Sequence, residues 1–415
     1  MSDYNSLPKR ILMIDDDLTM CDFVGAIVVA KGFEYYSFNR YDGALKQVKE
    51  LKPDLVLLDL HLPDGSGLNL CQYIKEDPEF SSIPVIMLTT REFNIEREIA
   101  MKNGAEAFLH KPIDQKKLAD IIVDTLSPEV KVVFWGVRGS APCANKENMI
   151  YGGNTTCVQL QLPNTENYLI LDSGSGIRNL GSHIMAKKKH AEGQIFITHP
   201  HWDHIQGFPF FKPFYVPDNK FTVHLPQQLG GDCRDVLAGQ MTYTYFPVTP
   251  EMLMADIQYE TQSYHLQQYD GYKIEFMLSN HPVATAIYKV HVGGKKIVFC
   301  PDNELVPASN GIRNSFYDHL LEFFDGADLL IHDAQYSRET YPSRRNWGHS
   351  AWEEAVELAA KTHVKHLYLT HHDPDSSDNY LAKLDSELAP YSSQFESIQF
   401  AKEGEFARIK INPEL

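Results

Sequence analysis

Residues 197–207 read ITHPHWDHIQG, and the second half of the chain is best understood outward from them. An apolar run, QIFI, leads straight into His199, His201, Asp203 and His204, a compact H-x-H-x-D-H array. Imidazoles and a carboxylate at this spacing suit borderline divalent metals. Four more candidates lie downstream, each ending an apolar strand or abutting a helix start: His281 after KIEFMLSN, Asp302 after KIVFCP, His349 before a helical stretch, and His371 after HLYLT. The chain has eighteen histidines. His183, His190, His224, His265, His291, His319 and His363 show no such placement and read as ordinary surface or core residues. Ser350 and Glu353 have the spacing of a capping box for a helix over 350–362, whose positive end would then lie beside His349.

Around this array the chain is β-rich from Val130 (VKVVFWGV, TTCVQLQL, NYLILDSGSG), and strands later alternate with helices. Two sheets sandwiched between helices fit that order. Before residue 127 the rhythm differs, with short apolar runs (ILMI, DLVLLDL, PVIMLTT, AFLHKP) alternating with amphipathic stretches. Such βα alternation predicts a parallel sheet covered on both faces. Ser127-Pro128-Glu129 interrupts the last of these helices, because proline lacks an amide donor and disfavours helix in the residue before it. The expected domains are therefore 1–127 and 128–415.

Bulk composition agrees with two cores, since 415 residues exceed what a single core usually holds. The formal charge is -17, and the one dense basic run is Lys187–Lys189, so general nucleic-acid binding is not expected. Six cysteines without a C-x-x-C pair point to scattered thiols in a reducing compartment. No leader and no 18-residue apolar stretch is present, so a cytoplasmic, membrane-free protein is expected.

In the first domain Asp15, Asp16 and Asp17 close the first apolar run and Asp59 closes the third, at the edge where parallel sheets carry their sites. Gathered carboxylates repel, and Mg²⁺ relieves that repulsion while binding a phosphoryl donor. Asp59 is then a candidate nucleophile. Thr89 offers a hydroxyl and Lys111 a cation to the phosphoryl group. Singly, each is most simply a solvated surface residue; the ordered set is not. MIDDD, LLDLHLPDGSG, MLTT and LHKP, in that order over residues 9–126, resemble the response-regulator receiver domain, a doubly wound (βα)5 fold. The resemblance implies that Asp59 is the phosphoacceptor, that Asp15, Asp16, Asp59 and the backbone of His61 hold Mg²⁺, and that Thr89, Phe108 and Lys111 couple phosphorylation to a surface change. A sensor histidine kinase or phosphotransfer protein is the implied partner, with dimerisation through the last helix.

The second domain, over about 131–410, resembles the metallo-β-lactamase superfamily, an αββα sandwich, in the branch that includes ribonuclease Z and cyclic-nucleotide phosphodiesterases. WGVRGS (135–140), YGGNTTC (151–157), LDSGSG (171–176), LIHDA (330–334) and WGHS (347–350) carry the likeness with the histidine array. It implies that one metal takes His199, His201 and His281, that a second takes Asp203, His204 and His371, and that Asp302 bridges them; the neighbouring His372 competes with His371. Zinc is favoured by the histidine-rich set, with manganese or iron as alternatives. Two cations can clamp both the attacking and leaving oxygens of a phosphoryl transfer. Asp203 is a candidate proton acceptor and His349 a candidate phosphate contact.

A hydrolase acting on a small phosphodiester such as a cyclic nucleotide, controlled through Asp59, is the resulting expectation. The alternatives are a metal-stabilised binding module without turnover and a hydrolase of another ester class or of RNA. His201 stands where the superfamily's diiron redox branch carries glutamate, which argues against oxygen chemistry.

Overall fold

The computed structural model describes residues 8–90, 94–163, 165–188, 190–263, 266–305 and 315–411. Lys189 and His265, noted above, lie outside the described residues. The chain divides into two compact units, Met1–Ser127 and Pro128–Leu415.

The four apolar runs of the first unit lie in strands β1 (Arg10–Ile14), β3 (Leu55–Asp59), β4 (Val85–Thr89) and β5 (Ala107–His110), and a fifth strand, β2 (Glu34–Phe38), has the more polar sequence EYYSF. Between and after them come helices α1 (Leu18–Ala30), α2 (Ala44–Leu51), α3 (Gly67–Glu76), α4 (Asn94–Lys102) and α5 (Gln115–Leu126). The strands pair in parallel in the order β2-β1-β3-β4-β5. Every residue of β3 and β4 is buried, which is why both read as unbroken apolar runs rather than alternating ones. One face of the sheet packs Ile11, Met13 and Leu57 against Val24 and Val28 of α1 and Leu118 and Ile122 of α5. The other packs Leu12, Val56 and Leu58 against Val48, Leu70, Ile74 and Ala100 of α2, α3 and α4. Asp17 caps α1 by accepting from the amides of Thr19 and Met20. The unit is a doubly wound receiver fold.

The second unit holds two seven-stranded sheets. The first contains β6 (Glu129–Gly136), β7 (Cys157–Gln161), β8 (Tyr168–Leu171), β9 (Glu192–Phe196), β10 (Lys220–Pro226) and β11 (Asp256–Gln262). In the second lie β12 (Leu266–Tyr269), β13 (Tyr272–Leu278), β14 (Ala286–Val292), β15 (Lys295–Cys300), β16 (Leu329–Asp333), β17 (His366–Thr370) and β18 (Ser397–Phe400). The last strand, β19 (Phe406–Lys410), returns to the first sheet and pairs antiparallel with β6. A core of Phe134, Val158, Leu169 and Phe196 from one sheet and Ile274, Tyr288, Phe299 and Ile331 from the other lies between them. Helices α6 (Ile177–Lys187) and α8 (Cys233–Gly239) cover the first sheet from outside, with Phe208, Phe211 and Phe214 clustered against Phe221 of β10. Helices α9 (Ser315–Phe324), α10 (Trp352–Lys361) and α11 (Asp378–Glu387) cover the second. The layers are thus αββα, the metallo-β-lactamase sandwich.

One local expectation fails. Ser350 does not cap α10; Ala351 is the N-cap residue and no side chain caps the helix. The Ser350 hydroxyl is occupied elsewhere, donating to the Asn303 carbonyl at 2.5 Å and accepting from the Leu305 amide at 3.1 Å. Glu353 accepts from the Arg338 amide instead of reaching back. Tertiary partners outcompeted the local box. Among the described residues, no helix is long and apolar enough to cross a membrane.

Candidate functional site

In the second unit, candidate ligands follow the ends of strands whose apolar residues anchor them. His199 follows β9, His281 follows β13, Asp302 follows β15 and His371 follows β17. His201 precedes a single helical turn, α7 (Trp202–Ile205), that turns Asp203 and His204 inward. Candidate ligand atoms gather in five overlapping groups among the described residues; His199, His201 and His281 form one and Asp203, His204 and His371 another, while Asp302 and His349 enter the rest.

Asp302 stands between the first two sets. Its Oδ1 lies 3.0 Å from His204 Nε2 and 3.2 Å from His371 Nε2. Its Oδ2 lies 3.7 Å from His199 Nε2 and 3.8 Å from His281 Nε2. One carboxylate thus faces each set with a different oxygen. Asp203 Oδ2 is 3.1 Å from His371 Nε2 and accepts from the Ser140 amide at 2.7 Å.

Outer partners fix how these side chains present themselves. His204 Nδ1 lies 2.7 Å from Asp172 Oδ2, directing Nε2 to the cluster. Thr198 Oγ1 donates to Asp172 and lies 3.1 Å from His199 Nδ1. The His281 Nδ1–H donates to the Gly348 carbonyl at 3.0 Å. Gly139 leaves space for the His371 ring, since a Cβ there would sit 2.2 Å from its Nδ1. His349 Nδ1 lies 2.9 Å from Asp333 Oδ2, and that carboxylate also accepts from the Asn303 amide. His349 stacks on His371 with ring centroids 4.8 Å apart. His372 points elsewhere, donating from Nε2 to the Ala401 carbonyl, and burial pushes it down to about 3.

Burial opposes charge on His204 and His371, but Asp302 and Asp203 outweigh it, holding His204 well above the ordinary range and raising His371 to about 9. Burial depresses His199 strongly, and its Nε2 has no hydrogen-bond partner. A wholly buried imidazole nitrogen with nothing to bond, aimed at a carboxylate oxygen 3.7 Å away, is what a cation site provides. The donor set of imidazoles and carboxylates fits divalent metals.

Sequence reasoning gave no role to Asp172, Thr198, Ser140 or Asp333. Asp172 and Asp333 do carry a signal, an aspartate closing an apolar strand (LILD, LLIHD).

In the first unit Lys111 Nζ reaches Asp15 Oδ2 at 2.7 Å and Asp59 Oδ1 at 2.5 Å, and the His61 amide donates to Asp59 Oδ2 at 2.7 Å. Burial raises Asp15 despite Lys111. Thr89 is buried at the end of β4, Asp16 is exposed beside Asp15, and Phe108 lies half-buried in β5.

Comparison with known proteins follows this division. Residues 11–123 match the response regulator receiver domain family and residues 170–372 a beta-lactamase superfamily domain. The DNA-binding response regulator MtrA of Mycobacterium tuberculosis is 32% identical over 114 residues, 28% of this chain and 49% of that protein. The chain thus spans about half the length of the curated relatives it matches. Among solved structures, the metallo-beta-lactamase fold protein YhfI from Bacillus subtilis aligns over 68% of this chain and 100% of its own, at 19% identity and TM-score 0.49. A diphosphatase from the PhnP family aligns over 69% and 99%, at 16% identity and TM-score 0.48. The chain thus carries a response regulator receiver domain over residues 11–123 and a beta-lactamase superfamily domain over residues 170–372.

Proposed function

We propose that this response regulator delivers its output as a two-metal hydrolase of a small phosphodiester such as a cyclic nucleotide, under the control of Asp59. The observation that carries the reading is Asp302, whose two oxygens face two separate ligand sets. His199, His201 and His281 would hold one cation and Asp203, His204 and His371 the other, with zinc the first candidate. Bound there, the pair would supply Lewis acidity and a clamp for the oxygens of an in-line displacement.

The chain's own residues supply the rest. Asp172 and the Gly348 carbonyl hold His204 and His281 by Nδ1, leaving their Nε2 atoms as the ligand atoms that would meet a cation. Asp333 fixes the His349 ring, so that its Nε2 is the group assigned to a phosphoryl oxygen. Asp203, besides its ligand role, is the assigned proton acceptor. In the receiver, Asp59 is the assigned acceptor of a phosphoryl group from a histidine kinase or phosphotransfer protein, and Asp15, Asp16, Asp59 and the His61 backbone would hold Mg²⁺. Lys111 holds Asp59 and Asp15 together before that transfer. Thr89 and Phe108 relay the change, and a receiver dimer in the cytoplasm is part of the same reading.

The test is a comparison of the zinc-loaded chain on an aryl phosphodiester, a thiolester and a lactam. Preferential turnover of the phosphodiester is expected. Two bound metals with no turnover of any of the three would instead favour a binding module.

A further inference from the structure

Glu304 lies two residues beyond Asp302 and is 5% exposed. Its carboxyl is committed entirely to one segment: Oε1 accepts from the Tyr341 hydroxyl at 2.7 Å and the Asn346 amide at 2.9 Å, and Oε2 accepts from the Gly348 amide at 3.0 Å. That segment is awkward to hold without an anchor. Asn346 has φ 66° and Gly348 φ 88°, both left-handed, a conformation that costs a non-glycine residue energy.

The segment matters because of what Gly348 touches. Its carbonyl accepts the His281 Nδ1–H, which fixes the tautomer and leaves Nε2 as the ligand atom. The contact is also steric, since a Cβ on Gly348 would lie 2.2 Å from His281 Nδ1. From the other side, the Glu304 backbone pairs twice with Asn280, the residue before His281. The Glu304 amide donates to the Asn280 carbonyl at 2.9 Å, and the Asn280 side-chain amide donates to the Glu304 carbonyl at 2.9 Å. Glu304 therefore grips His281 by its backbone neighbour and, through Gly348, by its ring.

We propose that Glu304 is the positioning residue for the His199, His201 and His281 set, setting the affinity of that cation site without touching the cation. This rests on the two-cation reading of the cluster. No described bond of the Glu304 side chain reaches His204, His371 or Asp203, so the second set should not depend on it. Replacing the carboxyl by an amide turns an acceptor into a donor beside at least one of the amides of Asn346 and Gly348. A buried amide is then left without a partner.

The experiment is a competitive titration of the full chain with zinc against a chromophoric chelator, resolving two affinities. Wild type, Glu304→Gln, Tyr341→Phe and Gly348→Ala are compared. Glu304→Gln should weaken one site by roughly 10- to 100-fold, the scale for loss of an outer partner, and leave the other within about 3-fold. Gly348→Ala should weaken one site likewise, by pushing directly on the His281 ring. Tyr341→Phe, which removes one partner of Glu304 but neither backbone bond, should keep both. Two unchanged affinities in Glu304→Gln would overturn the proposal, as would equal loss at both sites in Glu304→Gln and Tyr341→Phe together. If Glu304→Gln does not fold, unchanged affinities in Gly348→Ala overturn it alone. Failure of wild type to bind two zinc ions would overturn the two-cation reading itself and the proposal with it.

Discussion

Asp172 Oδ2 lies 2.7 Å from His204 Nδ1, with both side chains wholly buried. The pair fixes which ring nitrogen of His204 faces the cluster, and ligand histidines depend on such partners for affinity. Asp172→Asn should therefore weaken zinc binding by roughly 10- to 100-fold. Chelator competition would measure this, and an affinity equal to wild type would remove Asp172 from the site.

His349 and Asp333 make a second such pair, and His349 is proposed to contact the phosphoryl group rather than a cation. His349→Ala should lower kcat on an aryl phosphodiester by roughly 10²- to 10⁴-fold, the range for a positioned proton or hydrogen-bond donor. Zinc content should stay unchanged. Asp333→Asn should lie between wild type and His349→Ala. Loss of metal in parallel with activity would instead make His349 a ligand.

Metal loading should be linked to pH. His371 is raised to about 9 and His204 is held above its ordinary value, both by Asp302 and Asp203, so protons compete with a cation for these ring nitrogens. Zinc takes neutral imidazole, so loading must expel those protons, and apparent affinity should climb as pH rises through about 9. Calorimetric zinc titrations at pH 7 in buffers of different ionisation heat should show proton release. No buffer dependence would contradict the charge assignment.

In the receiver, Lys111 bonds Asp15 and Asp59 together. Phosphorylation of Asp59 would redirect that cation toward the new phosphoryl oxygens. A small phosphodonor should change wild-type turnover and leave Asp59→Asn unaffected. Such control requires the hydrolase to respond differently to the two receiver states. Identical turnover before and after treatment in both proteins would remove Asp59 as the switch.

The fold was legible where strands are buried on both faces: β3 and β4 of the receiver and β16 of the sandwich read as unbroken apolar runs. The clustering of the candidate ligands was legible for a related reason, as polar residues that end such runs or, like His201 and Asp203, crowd just after one. Partners joined only through tertiary structure were not. Asp172 and His204 are 32 residues apart, Glu304 and Gly348 are 44 apart, and no local period links either pair. Ser350 misled because its spacing to Glu353 matched a capping box, while the folded chain spends its hydroxyl on Asn303. The choice between His371 and His372 rested on one residue of register. The fold sends the first into the cluster and the second to Ala401.

The most direct test of the account is hydrolysis of an aryl phosphodiester by zinc-loaded wild type beside Asp302→Ala, with bound metal counted in both. Two metals and turnover in wild type, with the variant failing to retain both metals and losing turnover, is the predicted result. A variant that turns over at the wild-type rate would contradict the assignment of Asp302 as the carboxylate joining two cation sites.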